Sequence, residues 1–426
     1  MDFTMAMNYI NEKAKLGQVP GLVNVKELLY RLDNPQNKCR CLHIAGTNGK
    51  GSIFAFVQEA LIAEGYRVGR YISPTILDYR ERFQINKKYI SEEDFAHYLT
   101  LVAKEVESMV SEGLKSPTAF EIETAVGFLY FADNNLDYVL VECGMGGQLD
   151  ATNVIDAPVL TVMASISKDH MQFLGETIEE ITINKAGIVK TDSVCVSYPQ
   201  NKEAFDTLKK SCDKKNSELI LADVSALSID EMDIDGTRFT YKNHKYNISL
   251  LGEHQVYNAI TAIETLEYLR GKGISIEDKS IEEGLLDTNW IGRMTKLKEK
   301  PYVFVDGAHN KDAWCHLSQN LNKYFTNKKI IYIIGVLKDK DYHSMVDILG
   351  DTMSHAVAIT PNTPRGLDKD ILASLLKEKG IATDVADSSE EAVKKALALA
   401  GDEDVVLISG SLSFINDYIN LFNYTC

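Results

Sequence analysis

Along this chain of 426 residues, short and mostly apolar runs alternate with longer stretches in which apolar positions recur every three or four residues. Cys41–Ala45, Val68–Ile72, Tyr138–Glu142, Val159–Ala164 and Val194–Ser197 are of the first kind. They are rich in β-branched side chains and too short for helices, so they predict strands. Glu93–Val110 and Thr118–Ala132 are of the second kind and predict helices, while Thr177-x-x-Glu180 before Ile181 predicts a capping box. Strands without polar interruptions need cover on both faces, and their alternation with helices is the rhythm of βαβ units in a parallel sheet.

The rhythm changes at Gly236–Leu250, where alternating residues around Lys242-Asn243-His244 predict a β-hairpin at the edge of the first domain. A helix from about Gln255 to Arg270 follows, with Val256, Ile260, Ile263 and Leu266 on one packing face. Asp287–Pro301 has charges, a glycine and a proline but little period, so the domain linker is placed there. A second α/β series starts beyond it at Tyr302–Val305, Ile330–Ile334, Ala356–Ile359 and Val405–Ile408. It carries no second phosphate loop and no Gly-x-Gly-x-x-Gly after a strand.

The length also favours two domains, and 45% hydrophobic with 25% charged residues is an ordinary globular composition. A formal charge of −16 argues against nucleic acid as a partner. The first residues lack a basic segment followed by an apolar core, and no apolar run is long enough to cross a bilayer, so the expected location is the cytoplasm, with no membrane partner. Seven scattered cysteines (39, 41, 143, 195, 212, 315 and 426) contain no C-x-x-C pair, so reduced and mostly buried thiols are expected, with neither a disulfide framework nor a zinc site. Asn247-Ile248-Ser249 and Asn423-Tyr424-Thr425 match the glycosylation pattern but mean nothing without a secretion signal.

Chemistry is first suggested at Leu42–Ser52, an apolar strand running into Gly46-Thr47-Asn48-Gly49-Lys50-Gly51-Ser52. Glycines let backbone N–H groups converge on phosphate oxygens, Lys50 adds a positive charge, Ser52 can hold Mg²⁺, and the next helix adds its positive end. The spacing falls short of the standard pattern because Ile44 stands five before Gly49, and a glycine-rich turn can also be purely steric. Glu142 ends another apolar run, an awkward place for a carboxylate unless it faces a cation; a partly exposed strand-end acid is the plainer alternative. Gly144–Gly147, Asp150–Asn153 and Asp169-His170 likewise put flexible or polar groups beyond strand ends, and Lys185 by itself reads as a solvated helix lysine.

An ordered series of motifs then becomes specific. Leu42–Ser52, Ser73-Pro74, Thr118-Ala119-Phe120-Glu121, Glu142–Asn153, Asp169-His170 and Lys185-Ala186-Gly187-Ile188 follow one another as in folylpolyglutamate synthases. Gly252–Ala259, Gly292-Arg293, Asp306-Gly307-Ala308-His309-Asn310 and Gly335–Asp341 continue the resemblance over nearly the whole chain. That family belongs to the Mur ligase group, whose members activate a carboxylate with ATP and join it to an amine. The fold so implied is a P-loop parallel-sheet ATPase domain that also binds folate (1–293), followed by a smaller Rossmann-like glutamate-ligase domain (294–426), in an expected monomer.

The resemblance implies ATP, Mg²⁺, L-glutamate and a folate or dihydropteroate. It assigns Thr47, Asn48, Gly49, Lys50, Gly51, Ser52, Asn258, Arg293 and Asp306 to ATP, and Ser52, Ser73, Glu142 and His170 to Mg²⁺. Thr118, Phe120, Glu121, Leu149, Asp150 and Ala151 match the pterin region, His309 the domain interface near the incoming amino acid, and Lys185 a lysine often carbamylated. Lys50, His170, Lys185 and His309 are thus the catalytic candidates, with ATP expected between the domains and closure assembling the site. Thr75, Gln148 and Asn184 depart from the usual histidine, arginine and glutamate, which bears on substrate preference more than on reaction type.

Dihydrofolate synthase is the nearest rival, alone or as a second activity. A peptidoglycan-precursor ligase is less expected, since it would need an additional N-terminal domain for which the roughly forty residues before the turn leave little room. A nucleotide-dependent switch is the rival of another class: Asn184-Lys185-Ala186-Gly187 imitates a guanine-reading element but has Gly187 in place of its aspartate. A Lys50–Glu142 salt bridge filling the turn of a protein without nucleotide affinity would defeat the ATP reading.

Overall fold

The computed structural model describes residues 1–17 and 19–422, so Cys426 and Asn423-Tyr424-Thr425 lie outside the described residues. Two compact units divide them: Met1–Ala226 with Tyr257–Leu286, and Leu227–Val256 with Asp287 onward.

In the first unit eight strands form one sheet: β1 (Cys41–Ala45), β2 (Val68–Tyr71), β3 (Phe83–Ile85), β4 (Lys88–Tyr89), β5 (Tyr138–Glu142), β6 (Leu160–Met163), β7 (Val194–Ser197) and β8 (Glu218–Leu221). Their order is β4-β3-β2-β5-β1-β6-β7-β8, parallel from β2 to β8, with β3 and β4 as an antiparallel edge. Every residue of β1, β5 and β6 is buried, as a doubly covered parallel sheet requires. Helices Phe3–Ala14, Val23–Arg31, Glu92–Ser111 and Ala119–Asp133 supply one core cluster. Another joins Ala45, Cys143 and Met163 to Ile181, Ala204 and Leu208. Strand β1 lies between β5 and β6, where the chain's direction of sheet building reverses, and ligands of open α/β sheets bind outside the carboxyl ends at such a point.

The hairpin is not an addition to that sheet. β9 (Leu227–Asp233), β10 (Gly236–Tyr241) and β11 (His244–Ile248) form their own three-stranded sheet and fall with the second unit. Lys242 and Asn243, both at positive φ, make the two-residue turn that the twist of a hairpin favours.

The remaining strands are β12 (Thr295–Glu299), β13 (Tyr302–Asp306), β14 (Ile330–Ile334), β15 (His355–Ile359), β16 (Thr383–Ala386) and β17 (Val405–Ser409), in the order β12-β13-β17-β14-β15-β16. All pair in parallel except β12, which runs antiparallel to β13 within the stretch expected to be a linker. Its partly exposed, lysine-rich face hides the strand period. The helix Glu253–Gly271 also exceeds expectation: besides its apolar face, Asn258, Thr261, Glu264 and Thr265 are buried, so it is enclosed on more than one side.

Candidate active site

The turn after β1 enters the helix Lys50–Ala63 through Gly49, whose φ of 85° lies in the left-handed region and which offers no side chain to cap the helix. A Cβ at Gly49 would collide with Asn258 Oδ1, so the buried Asn258 lies directly against the turn. With no side-chain cap and no acidic residue in the first turn, the leading N–H groups are left for an outside acceptor. Thr47 anchors the turn: its N–H donates to Ser165 O at 2.7 Å and its Oγ1 to Ser167 O at 2.9 Å. Asn48 bridges to Ser165 as well. Ser52 Oγ is buried and has no hydrogen-bond partner.

Two lysines face this turn. Lys50 Nζ donates to Thr47 O at 3.3 Å and Gly46 O at 3.4 Å and stands 3.7 Å from Glu142 Oε1. Half of the condition named against the ATP reading is therefore met, at a distance longer than a close ion pair. Lys185, 4% exposed, donates from Nζ to Gly46 O at 2.8 Å. Burial, with the charge of Lys50 beside it, pushes the Lys185 ammonium down to about 7. The solvated lysine of the plainer reading is thus excluded.

Glu142 is buried at the end of β5. Ser73 is half-buried and precedes a cis Ser73–Pro74 bond. His170 is the most open of the four metal candidates, with a side chain 42% exposed and Nε2 4.0 Å from Asp169 Oδ2. Among the described residues no group of three or more His, Cys, Asp or Glu is arranged to hold a metal. A hydroxyl-rich set fits a hard cation better than zinc, and the partnerless Ser52 Oγ is the atom that fits one most directly.

Beside the turn, Gly144 lies against the half-buried Phe120 ring, close enough that a Cβ would come within 2.6 Å of Cζ. Thr118 and Glu121 are occupied by the capping box of Ala119–Asp133, the Glu121 carboxylate accepting from Thr118 N at 2.8 Å and Thr118 Oγ1 at 2.9 Å. They thus hold the helix start that presents Phe120. Leu149 is 47% exposed, whereas Asp150 and Ala151 are buried. Asn184, one of the departures, accepts from Gly147 N at 3.1 Å through Oδ1 and from Gln148 N at 2.8 Å through its carbonyl, fastening the glycine loop.

In the second unit Asp306 ends β13, its two oxygens accepting from Ala308 N and Met294 N, each at 2.9 Å. Burial pushes its carboxyl up, opposed by Arg293. Arg293 Nη1 donates to Gly292 O at 2.9 Å, and His309 Nδ1 lies 2.8 Å from Gly307 O. Sequence reasoning passed over Ser409-Gly410-Ser411-Leu412 at the end of β17, where Ser409 pairs in register with Asp306 and Leu412 packs against Gly307. A Ser-Gly-Ser after a buried apolar run was the available signal.

Comparison with known proteins gives the family. Residues 44–266 match the Mur ligase middle domain and residues 292–412 the Mur ligase glutamate ligase domain. The chain is 36% identical over 426 residues to the dihydrofolate synthase/folylpolyglutamate synthase of Bacillus subtilis, covering 97% of each chain. The chain belongs to the folylpolyglutamate synthase/dihydrofolate synthase family of Mur ligases. Two solved members of this family share its whole architecture. Mycobacterium tuberculosis folylpolyglutamate synthase complexed with ADP and AMPPCP superposes with a TM-score of 0.90 at 28% identity over 100% of both chains. E. coli FolC in complex with DHPP and ADP gives 0.87 at 26% identity over 99% of this chain and 98% of the other. As a family member the chain is an ADP-forming ligase that uses ATP, and no helix among its described residues is long and apolar enough to cross a membrane.

Proposed function

We propose that this protein joins L-glutamate to a pterin-bearing acid at the expense of ATP, extending reduced folates and, as a second use of the same site, converting dihydropteroate to dihydrofolate. The observation that carries the reading is the uncapped helix start at Gly49, with Lys50 and Lys185 turned toward it and Ser52 Oγ left without a partner. The Bacillus subtilis relative bears both enzyme names, which supports one protein serving both acids.

A carboxylate resists attack because its charge repels a nucleophile and oxide leaves poorly. In the proposed reaction a substrate carboxylate oxygen attacks the γ-phosphorus of ATP, ADP leaves, and the acid becomes an acyl phosphate. The glutamate amine then attacks the carbonyl carbon, phosphate leaves, and the nitrogen loses a proton. Positioning and charge neutralisation are what this asks of the protein. The first-turn amides from Gly49 to Ser52 and the Lys50 ammonium supply both to the transferred phosphate.

Ser52, Ser73, Glu142 and His170 would hold Mg²⁺, which when bound neutralises phosphate charge. With its ammonium lowered to about 7, Lys185 offers a free amine near neutral pH that can add to carbon dioxide with release of one proton. The carbamate oxygen so formed suits a hard cation, as an ammonium does not. Phe120, Leu149, Asp150 and Ala151 receive the pterin, with Thr118 and Glu121 supporting Phe120. Asn258, Arg293 and Asp306 serve ATP and His309 the incoming amino acid, with residues 1–293 and 294–426 as the two working domains. A single chain in the cytoplasm is taken to suffice.

The test is the mass of the product formed from ATP, glutamate and either dihydropteroate or tetrahydrofolate. A pterin product heavier by one or more glutamyl residues is expected, with ADP released only when both partners are present. ADP formed equally fast without them, and no new pterin product, would overturn the reading in favour of a nucleotide-dependent switch.

A further inference from the structure

A buried file of polar side chains runs beneath the glycine loop. His43, in the middle of β1, is fully buried, and its Nε2 lies 2.8 Å from Thr152 Oγ1 and 3.2 Å from Cys143 Sγ. Thr152 Oγ1 in turn lies 2.5 Å from Asp150 Oδ1, which also accepts from Thr152 N at 3.0 Å. Asp150 Oδ2 accepts from Met145 N at 2.8 Å.

The hydrogens of this file can be assigned from chemistry. Burial pushes the Asp150 carboxyl up, but every protein group bonded to it is an N–H or an O–H, and these donors favour the ionised form, which only accepts. The single Thr152 hydroxyl hydrogen goes to Asp150 Oδ1 at 2.5 Å in preference to the weaker acceptor Cys143 Sγ at 3.5 Å. Thr152 Oγ1 is left as an acceptor, and His43 must donate to it from Nε2–H. His43 Nδ1 is then the bare nitrogen, and it is the ring atom with no hydrogen-bond partner. Burial, with Lys190 nearby, pushes His43 down to about 3, so the ring is neutral and carries one hydrogen. The file is one-way: His43 to Thr152 to Asp150.

We propose that His43 and Thr152 are positioning residues for substrate recognition, holding the Asp150 carboxylate as a fixed, pure acceptor toward an N–H edge of the pterin. The proposal rests on the reading above that Asp150 belongs to the pterin site. The bonds named take two lone-pair sites on Oδ1 and one on Oδ2, and the Gly144 amide also reaches the carboxylate, so a ligand N–H competes with Gly144 for the remaining acceptor capacity. A heterocycle that presents adjacent amine and lactam N–H groups suits it, and an edge of bare nitrogens does not.

Thr152→Val keeps the shape and removes the hydroxyl, while Thr152→Ser keeps the hydroxyl. The first should raise KM for the pterin acid roughly tenfold or more with KM for ATP within about twofold of the original, and the second should stay close to the original. An unchanged pterin KM, or an ATP KM that rises in parallel, would overturn the proposal, because a merely structural loss spreads to both substrates. Should the valine variant not fold, nitrogen NMR of the original protein decides. A His43 ring protonated on Nε2 and bare on Nδ1 supports the file, and the opposite tautomer sinks it. Failure of the original protein to add glutamate to either pterin acid would fall on the functional reading alone, since the tautomer is measured without turnover.

Discussion

The turns after β1 and after β13 share a plan, a parallel strand ending in a glycine-bearing turn ahead of a 14-residue helix, yet they are finished in opposite ways. After β13 the protein satisfies itself: Asn310 caps the helix Lys311–Tyr324 by accepting from Ala313 N at 3.0 Å, and Asp306 takes two backbone amides. After β1 it does not. Gly49 caps nothing, Ser52 Oγ has no partner, and two cationic side chains converge on carbonyls of the turn. The same architecture is closed on its own hydrogen bonds in one place and left without a side-chain cap in the other, where an anion can take the free amides.

The contrast breaks first at Lys185. Lys185→Ala should lower turnover about a hundredfold or more while leaving stability intact, since it removes a buried charge-prone amine rather than a cap, and short-chain carboxylates should restore part of the activity. The pH dependence has a definite sign. The folded-state value near 7 lies below the ordinary 10.5, so the ammonium dominates below pH 7 and the free amine above it. A carbamate signal from ¹³C-labelled bicarbonate should therefore grow as pH rises through 7. Full activity with an unmodified Lys185 would refute the carbamate.

At the self-satisfied turn the effect should be smaller and of another kind. Asn310→Ala should cost about 1 kcal/mol of stability, read by denaturant titration, through the lost helix cap. A loss of turnover at unchanged stability would mean that the two turns are more alike than the hydrogen bonds suggest.

Much of this was legible in the amino-acid pattern because its determinants are local. The mostly apolar runs of β1, β5, β7 and β14 and the Thr177 capping box each declare themselves within a few residues. β12 did not, because its partly exposed lysines imitate a linker, and neither did the hairpin's separation from the large sheet, which depends on pairing with β9. At the site, the glycine turn could be read directly. The burial of Lys185 against Gly46 O, 139 positions away, and the reach of His43 to Thr152, 109 positions away, exist only in the fold. Thr118 and Glu121 show the converse: their capping box is formed by residues three apart and is visible in the sequence itself.

The 3.7 Å approach of Lys50 to Glu142 makes nucleotide affinity the decisive quantity. Calorimetric titration of the protein with Mg²⁺ and a non-hydrolysable ATP analogue should reveal one site with a Kd of roughly micromolar to sub-millimolar strength. No binding heat up to millimolar analogue would mean that Glu142 neutralises Lys50 and closes the turn, and the account of an open anion site would be wrong.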